Sequence, residues 1–211
     1  MRILYIDTTT SYLYTGVVED DKLLAEIKED CNRDLSKCAL DKISKMIDSL
    51  ALKPIDIDKI IVVNGPGSFT GIRIGVTIAK TFAYSLNKEI TTISSLEAMA
   101  LSSKAGTKYI VPIIDARRGN VYGAIYDDTG NSILKDQHVS LNSLLAACDN
   151  LIDDYTIIGS YEDMTTEDYD PDILKIVNTF KDKESINPHA VNPIYLKQTE
   201  AEENKKVELI W

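Results

Sequence analysis

Two stretches of this chain follow the same order of residues. Ile6-Asp7 leads through a short turn into Tyr14-Thr15-Gly16-Val17-Val18-Glu19 and ends in Asp20-Asp21. Ile114-Asp115 leads through Ala116-Arg117-Arg118-Gly119-Asn120 into Val121-Tyr122-Gly123-Ala124-Ile125-Tyr126 and ends in Asp127-Asp128. A one-residue gap aligns Asp7 with Asp115, Gly16 with Gly123, and the two Asp-Asp turns. The surroundings repeat as well. Strands at Ile3–Ile6, Leu13–Glu19 and Leu23–Lys28, joined by short turns, predict an antiparallel meander. A helix to about Ala51, a strand at Ile60–Val63, a helix from Phe69 to Leu86, a strand at Ile90–Ile93 and a helix from Ser95 to about Ser103 complete a β-β-β-α-β-α order. The second half offers strands at Val111–Asp115, Val121–Asp127 and Ser132–Val139, a helix over Ser140–Cys148 and a strand at Tyr155–Ile158. An internal repeat limits the chain to two copies of one supersecondary unit. The competing reading is two unrelated hairpins that both end in acidic turns.

The expected division is a first lobe of 1–104 and a smaller, degenerate second lobe of 105–211. After the repeat the pattern fades. Glu162–Asp172 is acidic and reads as loop, Ile173–Phe180 as a short helix, and Asn187–Tyr195, with Pro188 and Pro193, as extended chain. Glu200–Lys206 reads as a charged end.

The helix expected to end near Ala51 takes its N-cap from Asn32 or Asp34 and stops before Pro54. Leu35, Ala39, Ile43, Met46, Ile47 and Leu50 give it one apolar face. The Phe69–Leu86 helix follows Gly65-Pro66-Gly67-Ser68, a glycine turn that joins a β-branched strand to a helix N-terminus. Such a turn can gather backbone N–H groups around an anion. Taken alone it is also an ordinary tight turn with Ser68 as N-cap. It lacks the Gly-Lys-Ser/Thr of a phosphate loop, the third glycine of a dinucleotide fingerprint and the glycines of a nucleophile elbow. Behind it, Gly71, Gly75, Ala79 and Ala83 form a small-residue stripe that admits a close backbone. Apolar residues flank the stripe on both sides, so a face beyond the sheet-packed one is expected to meet another subunit.

Composition narrows the function. Asp and Glu number 33 against 23 Lys and Arg, a net charge of −10, which disfavours a role as main nucleic-acid binder. Cys31, Cys38 and Cys148 are odd in number and contain no CxxC pair, which fits reduced thiols in the cytoplasm. Asp7 interrupts any signal-peptide core, and no run reaches the roughly 20 apolar residues of a membrane span. His138 and His189 are too far apart in sequence for a zincin pair or a Ser68-based triad.

A duplicated β-β-β-α-β-α unit resembles the plan of the actin-like ATPase and sugar-kinase fold, a two-lobed α/β architecture related to RNase H. The resemblance places Asp7 and Asp115 at a metal–phosphate cleft. The alternative for both is capping of their own turns. Thr8-Thr9-Thr10-Ser11 lacks the glycine of an active phosphate hairpin, which weighs against ATP hydrolysis. The cleft expected for a nucleotide or anion comprises Asp7, Gly65, Gly67, Ser68, Asp115 and Arg117.

Gly65-Pro66-Gly67-Ser68-Phe69-Thr70-Gly71-Ile72-Arg73-Ile74-Gly75 resembles the signature of the TsaB, or YeaZ, family. Asp115-Ala116-Arg117-Arg118-Gly119-Asn120-Val121-Tyr122 and Pro193-Ile194-Tyr195-Leu196-Lys197 resemble its second signature and closing segment. The likeness runs from Met1 to about Lys197. It implies a cytoplasmic, non-catalytic partner that activates a TsaD-type transferase in making threonylcarbamoyladenosine next to the anticodon of ANN-decoding tRNA. A TsaE-type ATPase joins the assembly, tRNA is met only indirectly, and the protein pairs with itself when alone. The resemblance implies no intrinsic cofactor or metal, with ATP or ADP as a candidate at the partner interface. The helix pair implied as the interface would use Ala39, Ile43, Met46, Ile74, Ile78 and Phe82. Leu35 and Ala39 stand where the TsaD-type paralogue carries its HxxxH metal motif. Leu35, Arg118 and Asn120 depart from the family pattern. The alternatives are an actin-like small-molecule kinase or ATPase using Asp7 and Asp115, an M22-type peptidase and, more distantly, a dinucleotide binder.

Overall fold

The computed structural model describes residues 1–31, 34–162, 164 and 166–197. The Asn32 cap and the Glu200–Lys206 end lie outside the described residues.

Two sheets carry the repeat. The first has the order β3-β2-β1-β4-β5, from β1 (Arg2–Asp7), β2 (Tyr12–Glu19), β3 (Lys22–Asp30), β4 (Lys59–Val63) and β5 (Glu89–Ile93). Short turns make β1, β2 and β3 antiparallel neighbours, and the helical crossovers make β1, β4 and β5 parallel. The second has the order β8-β7-β6-β9, from β6 (Tyr109–Asp115), β7 (Asn120–Asp127), β8 (Ser132–Ser140) and β9 (Tyr155–Ser160), with the same polarity at each equivalent pair. Register bears out the alignment read from sequence. Gly16 lies opposite Tyr5, and Gly123 opposite Ile113, each two residues before the strand-end Asp. A Cβ on Gly123 would meet the Leu144 side chain at 2.5 Å, so glycine lets a helix sit close over this strand.

Alternation along the central strands sends side chains to both faces of each sheet. On one face of the first sheet, Leu4, Ile6, Val17, Ile60 and Val62 pack under α1 (Leu35–Ser49) and α2 (Phe69–Leu86). On the other, Ile3, Tyr5, Val18, Ile61 and Val63 pack under α3 (Ser95–Ser102) and α5 (Ile173–Phe180). In the second sheet, Val111, Val121 and Ile125 pack against α4 (Leu141–Cys148), while Ile110, Ala124, Tyr126 and Ile158 meet α3 from its far side. Helix α3 therefore lies between the two sheets, with Ala98 and Leu101 on one and Leu96, Met99 and Ala100 on the other.

The lobe expected over 105–211 is shorter than that. Helix α5 returns to the first sheet, where Ile173, Ile176, Val177 and Phe180 are core. Lys59, buried in β4, donates from Nζ to the carbonyls of Lys181 and Lys183 at 2.9 and 2.6 Å and holds the chain just beyond α5. The following stretch is not simply extended. It makes a 3-10 turn at Pro188–Ala190, buries Val191, and Ile194 N–H donates to the Asn64 carbonyl at 2.7 Å.

The small-residue stripe of α2 packs inside the chain itself. Cβ atoms on Gly71 and Gly75 would collide with the Thr8 carbonyl and hydroxyl in the β1–β2 turn, and Thr8 Oγ1 donates to the Gly71 carbonyl at 2.8 Å. Ala79 and Ala83 are core beside them. Among the described residues no helix is long and apolar enough to cross a membrane.

The seam can be tested by adding one methyl. Gly71→Ala is expected to lower stability by about 1–3 kcal/mol, read as a lower urea midpoint with an unchanged m-value. Gly106→Ala, where a Cβ would meet nothing within 4 Å, should stay within about 0.5 kcal/mol of the parent chain.

Candidate functional site

Two surfaces carry the residues picked out by sequence: the cleft between the lobes and the outer face of α1 and α2. The cleft is an open cavity of about 1210 Å³. Gly67, Ser68, Asp115 and Arg117 line it, together with Lys28, Tyr12, Tyr14 and Tyr169. Asp7 and Gly65 are not among its lining residues, which corrects the expected cleft at two positions.

Gly65 is turned toward the C-terminal segment. Its φ is +114°, and a Cβ there would meet the Ile194 carbonyl at 2.5 Å. Gly67 is pressed on the β1–β2 turn, where a Cβ would meet the Thr9 carbonyl at 2.5 Å, and Ser68 N–H donates to that same carbonyl at 2.8 Å. Ser68 Oγ accepts from Gly71 N–H at 3.3 Å and caps α2. The glycine turn is thus a seam between α2 and the β1–β2 turn, which favours the tight-turn reading over an anion cradle.

Asp7 is 1 % exposed. Its Oδ1 accepts from Thr9 N–H at 2.8 Å and from Thr9 Oγ1 at 2.7 Å, and its Oδ2 accepts from the Tyr169 hydroxyl at 3.2 Å. Its carboxyl caps its own turn and is covered by a tyrosine, so it does not face a ligand. Burial raises its pKa, and the hydrogen bonds from Thr9 and Tyr169 offset part of that rise. Asp115 is its repeat mate in sequence but not in environment. It is exposed at the cleft, and Oδ1 accepts Arg117 N–H at 2.7 Å within a turn closed by Ala116 N–H to the Asn120 carbonyl. The pair expected to share a metal–phosphate is divided, one carboxylate sealed and one capping a surface turn.

Tyr169 closes Asp7 from the segment between β9 and α5, which reads from sequence as acidic loop. The described residues of that segment are tied at several points. Glu167 takes Ser103 Oγ at 2.5 Å and Lys104 N–H at 2.6 Å, Tyr169 packs edge-on to Tyr14 at 5.5 Å, and Asp170 takes Lys28 and Lys104 at 2.7 and 3.1 Å. No spacing rule picks out these residues, because each partner lies more than 60 positions away.

On the outer face, Ile74, Ile78 and Phe82 are half-buried along α2, and Leu40 of α1 is 59 % exposed. The expected contacts of α1 need correction. Ala39, Ile43 and Met46 are 0 %, 1 % and 5 % exposed and belong to this chain's own core, because α1 turns its apolar face onto β2 and α2. Leu35 and Ala39 sit in one apolar cluster with Leu13 and Cys31. His138 lies against Tyr122 and His189 against Tyr84, in different parts of the molecule.

A meander followed by a parallel strand, built twice around one shared helix, is the duplicated actin-like architecture. In this chain the strand-end carboxylate of the first copy is shut away. Residues 27–164 match the family described as "TsaD: tRNA N6-adenosine threonylcarbamoyltransferase". The Bacillus subtilis "tRNA threonylcarbamoyladenosine biosynthesis protein TsaB" is 32% identical, with 96% of each chain covered. The Escherichia coli protein of the same name is 34% identical over 63% of this chain and 58% of its own length. The solved structure "YeaZ from Pseudomonas aeruginosa" superposes with a TM-score of 0.76 at 20% identity, over 92% of this chain and 100% of that one, and so shares its fold. The chain belongs to the TsaB (YeaZ) family.

The sealed carboxylate predicts a pH signature. Its folded pKa lies above the ordinary value of 3.8, so between those two values the folded chain binds the extra proton. Stability contributed by this group is therefore full at low pH and falls as pH rises through the window. Asp7→Asn keeps an acceptor for Thr9 and should remove that slope. The difference in unfolding free energy, parent minus variant, is expected to decline from about pH 4 upward in urea titrations. A flat difference would place the Asp7 carboxylate in water.

Proposed function

We propose that this protein is the non-catalytic partner of a TsaD-type transferase in the biosynthesis of threonylcarbamoyladenosine in tRNA. It docks on that enzyme through the outer face of α1 and α2 and activates it. The observation that carries this reading is the half-buried row Ile74, Ile78 and Phe82 along α2 together with exposed Leu40 on α1, apolar residues left at the surface of a strongly acidic protein. Relatives named for this biosynthesis supply the pathway. The burial of Asp7 speaks against the alternative of a kinase or ATPase that uses this carboxylate.

In this reading the chain works in the cytoplasm. Alone it closes its apolar face against a second copy in a two-fold pair, and the paralogue displaces that copy. A TsaE-type ATPase joins the resulting assembly, and ATP or ADP is bound against the partner. A net charge of −10 leaves tRNA contact to the other subunits.

Molar mass by light scattering after gel filtration tests this, first on the chain alone and then with the TsaD-type protein of the same cell. A homodimer that gives way to a mixed assembly is expected. Leu40→Glu, which alters no core position, and Ile78→Asp should each weaken mixed association by roughly 30-fold or more. A chain that never associates, yet turns over ATP with magnesium, would move the function to the cleft.

A further inference from the structure

The three cysteines are scattered in sequence, and the fold brings two of them together. Cys148, the last residue of α4, is buried in the second lobe. Cys31 follows β3 directly. Its N–H donates to the Ser11 carbonyl at 3.2 Å, and its carbonyl accepts Asp34 N–H at 2.9 Å, one residue before α1. Its side chain is buried with Leu13, Leu35 and Ala39, and Cys38, half-buried on the first turns of α1, packs against the same cluster. The Cys38 thiol lies 3.8 Å from the Leu35 carbonyl. Burial, and then contact with the Cys38 thiol, push the Cys31 thiol up to about 11. Lys42, paired with Glu29 at 2.6 Å, sets a positive charge near both sulfurs.

The geometry points to Cys31 and Cys38 as a dithiol that exchanges with low-molecular-weight disulfides and closes a reversible intrachain disulfide between the end of β3 and the start of α1. Bond formation requires sulfurs that already meet, with Cβ atoms about 3.5–4.5 Å apart. The fold packs both side chains into one apolar cluster where β3 gives way to α1. Cys38 is the more exposed and reacts first. Its thiolate attacks one sulfur of RSSR, a Cys38–SR bond forms and RS⁻ leaves. The Cys31 thiolate then attacks the Cys38 sulfur, and a second RS⁻ leaves. The two protons lost by the cysteines are taken up by the two released thiolates. The chain loses two hydrogens and one RSSR becomes two RSH. Because the thiolate is the nucleophile, the high Cys31 pKa makes ring closure the slow step. The bond would lie directly beneath Ile74 and Ile78, which pack on the same cluster, although its formation does not depend on what docks there.

The test uses the full reduced chain with oxidised glutathione, acid quenching, intact mass and a peptide map. The expected product has lost two hydrogens, keeps one alkylatable thiol at Cys148, links the Cys31 and Cys38 peptides and reverts with dithiothreitol. Ring closure should accelerate about tenfold per pH unit while pH stays below the Cys31 pKa. Cys31→Ser should stop at a glutathione adduct on Cys38, but the parent chain alone decides the matter. If it stops at that adduct, stays fully reduced, or links only between copies, the pairing is wrong.

Discussion

The rest of the structure depends on the burial of one short helix. Helix α3 has a sheet on each side, and seven of its eight residues are buried. A helix of this length has little stability of its own in water, so it forms only because both sheets cover it. The reverse also holds. Each sheet needs α3 to close one of its faces, and neither lobe has a complete core without it. Capping by Ser94 Oγ on Leu96 N–H fixes where α3 begins, and Ser94 also bonds Asp136 of β8, so the same residue ties the helix to the second lobe. The lobes are joined through shared core, and their relative placement is part of the folding of each.

That shared core changes what the duplicated fold can do. Hinged lobes that close on a ligand need an interface that can slide, with polar groups free to rearrange. This chain leaves the cleft open but ties one wall of it with fixed contacts: Tyr169 over Asp7, Asp170 between Lys28 and Lys104, and Glu167 on the end of α3. Tyr169 packs against core on both sides of α3. A carboxylate kept out of water and satisfied by three hydrogen bonds is an anchor for its own turn. Both strand-end acids of the repeat bond to their own turns, Asp7 to Thr9 and Asp115 to Arg117.

Much of this was legible in the sequence, for a definable reason. Strand alternation, helix periodicity and turn chemistry are local, so the meander, the Ser68 cap and the bounds of α2 could be read directly. The equivalence of Gly16 and Gly123 was legible only through a one-residue gap in the turn, and strand register places both opposite the residue two before the strand-end Asp. What failed was long range. The apolar face of α1 was correctly identified, but sequence cannot say whether a face meets its own sheet or another protein, and Ala39, Ile43 and Met46 proved to be core. The glycine stripe of α2 admits a close backbone, as its spacing predicts, but only the fold shows that this backbone is Thr8 of the same chain. The return of α5 to the first sheet had no sequence signal, because the short helix looks the same whichever lobe it covers.

These misreadings share a cause that also explains the outer face. Helix α2 is apolar on more sides than one sheet can cover. Its glycine side is consumed by the β1–β2 turn and its alanine side by the first sheet, which leaves Ile74, Ile78 and Phe82 only partly covered by α1. Helix α1 cannot cover them further, because its apolar residues are already committed inward and its outer positions are Ser36, Lys37, Asp41, Ser44, Lys45 and Asp48 around the single exposed Leu40. Adding charge to α2 at these positions would solve the exposure, and the acidic remainder of the surface shows that charge is readily used elsewhere. An apolar strip kept within a charged surface is stabilised only when something else covers it, at roughly 25 cal/mol for each Å² removed from water. On the described chain nothing covers the exposed edge of Leu40 or fully covers Ile74, Ile78 and Phe82, and this is the strip on which the proposed docking rests.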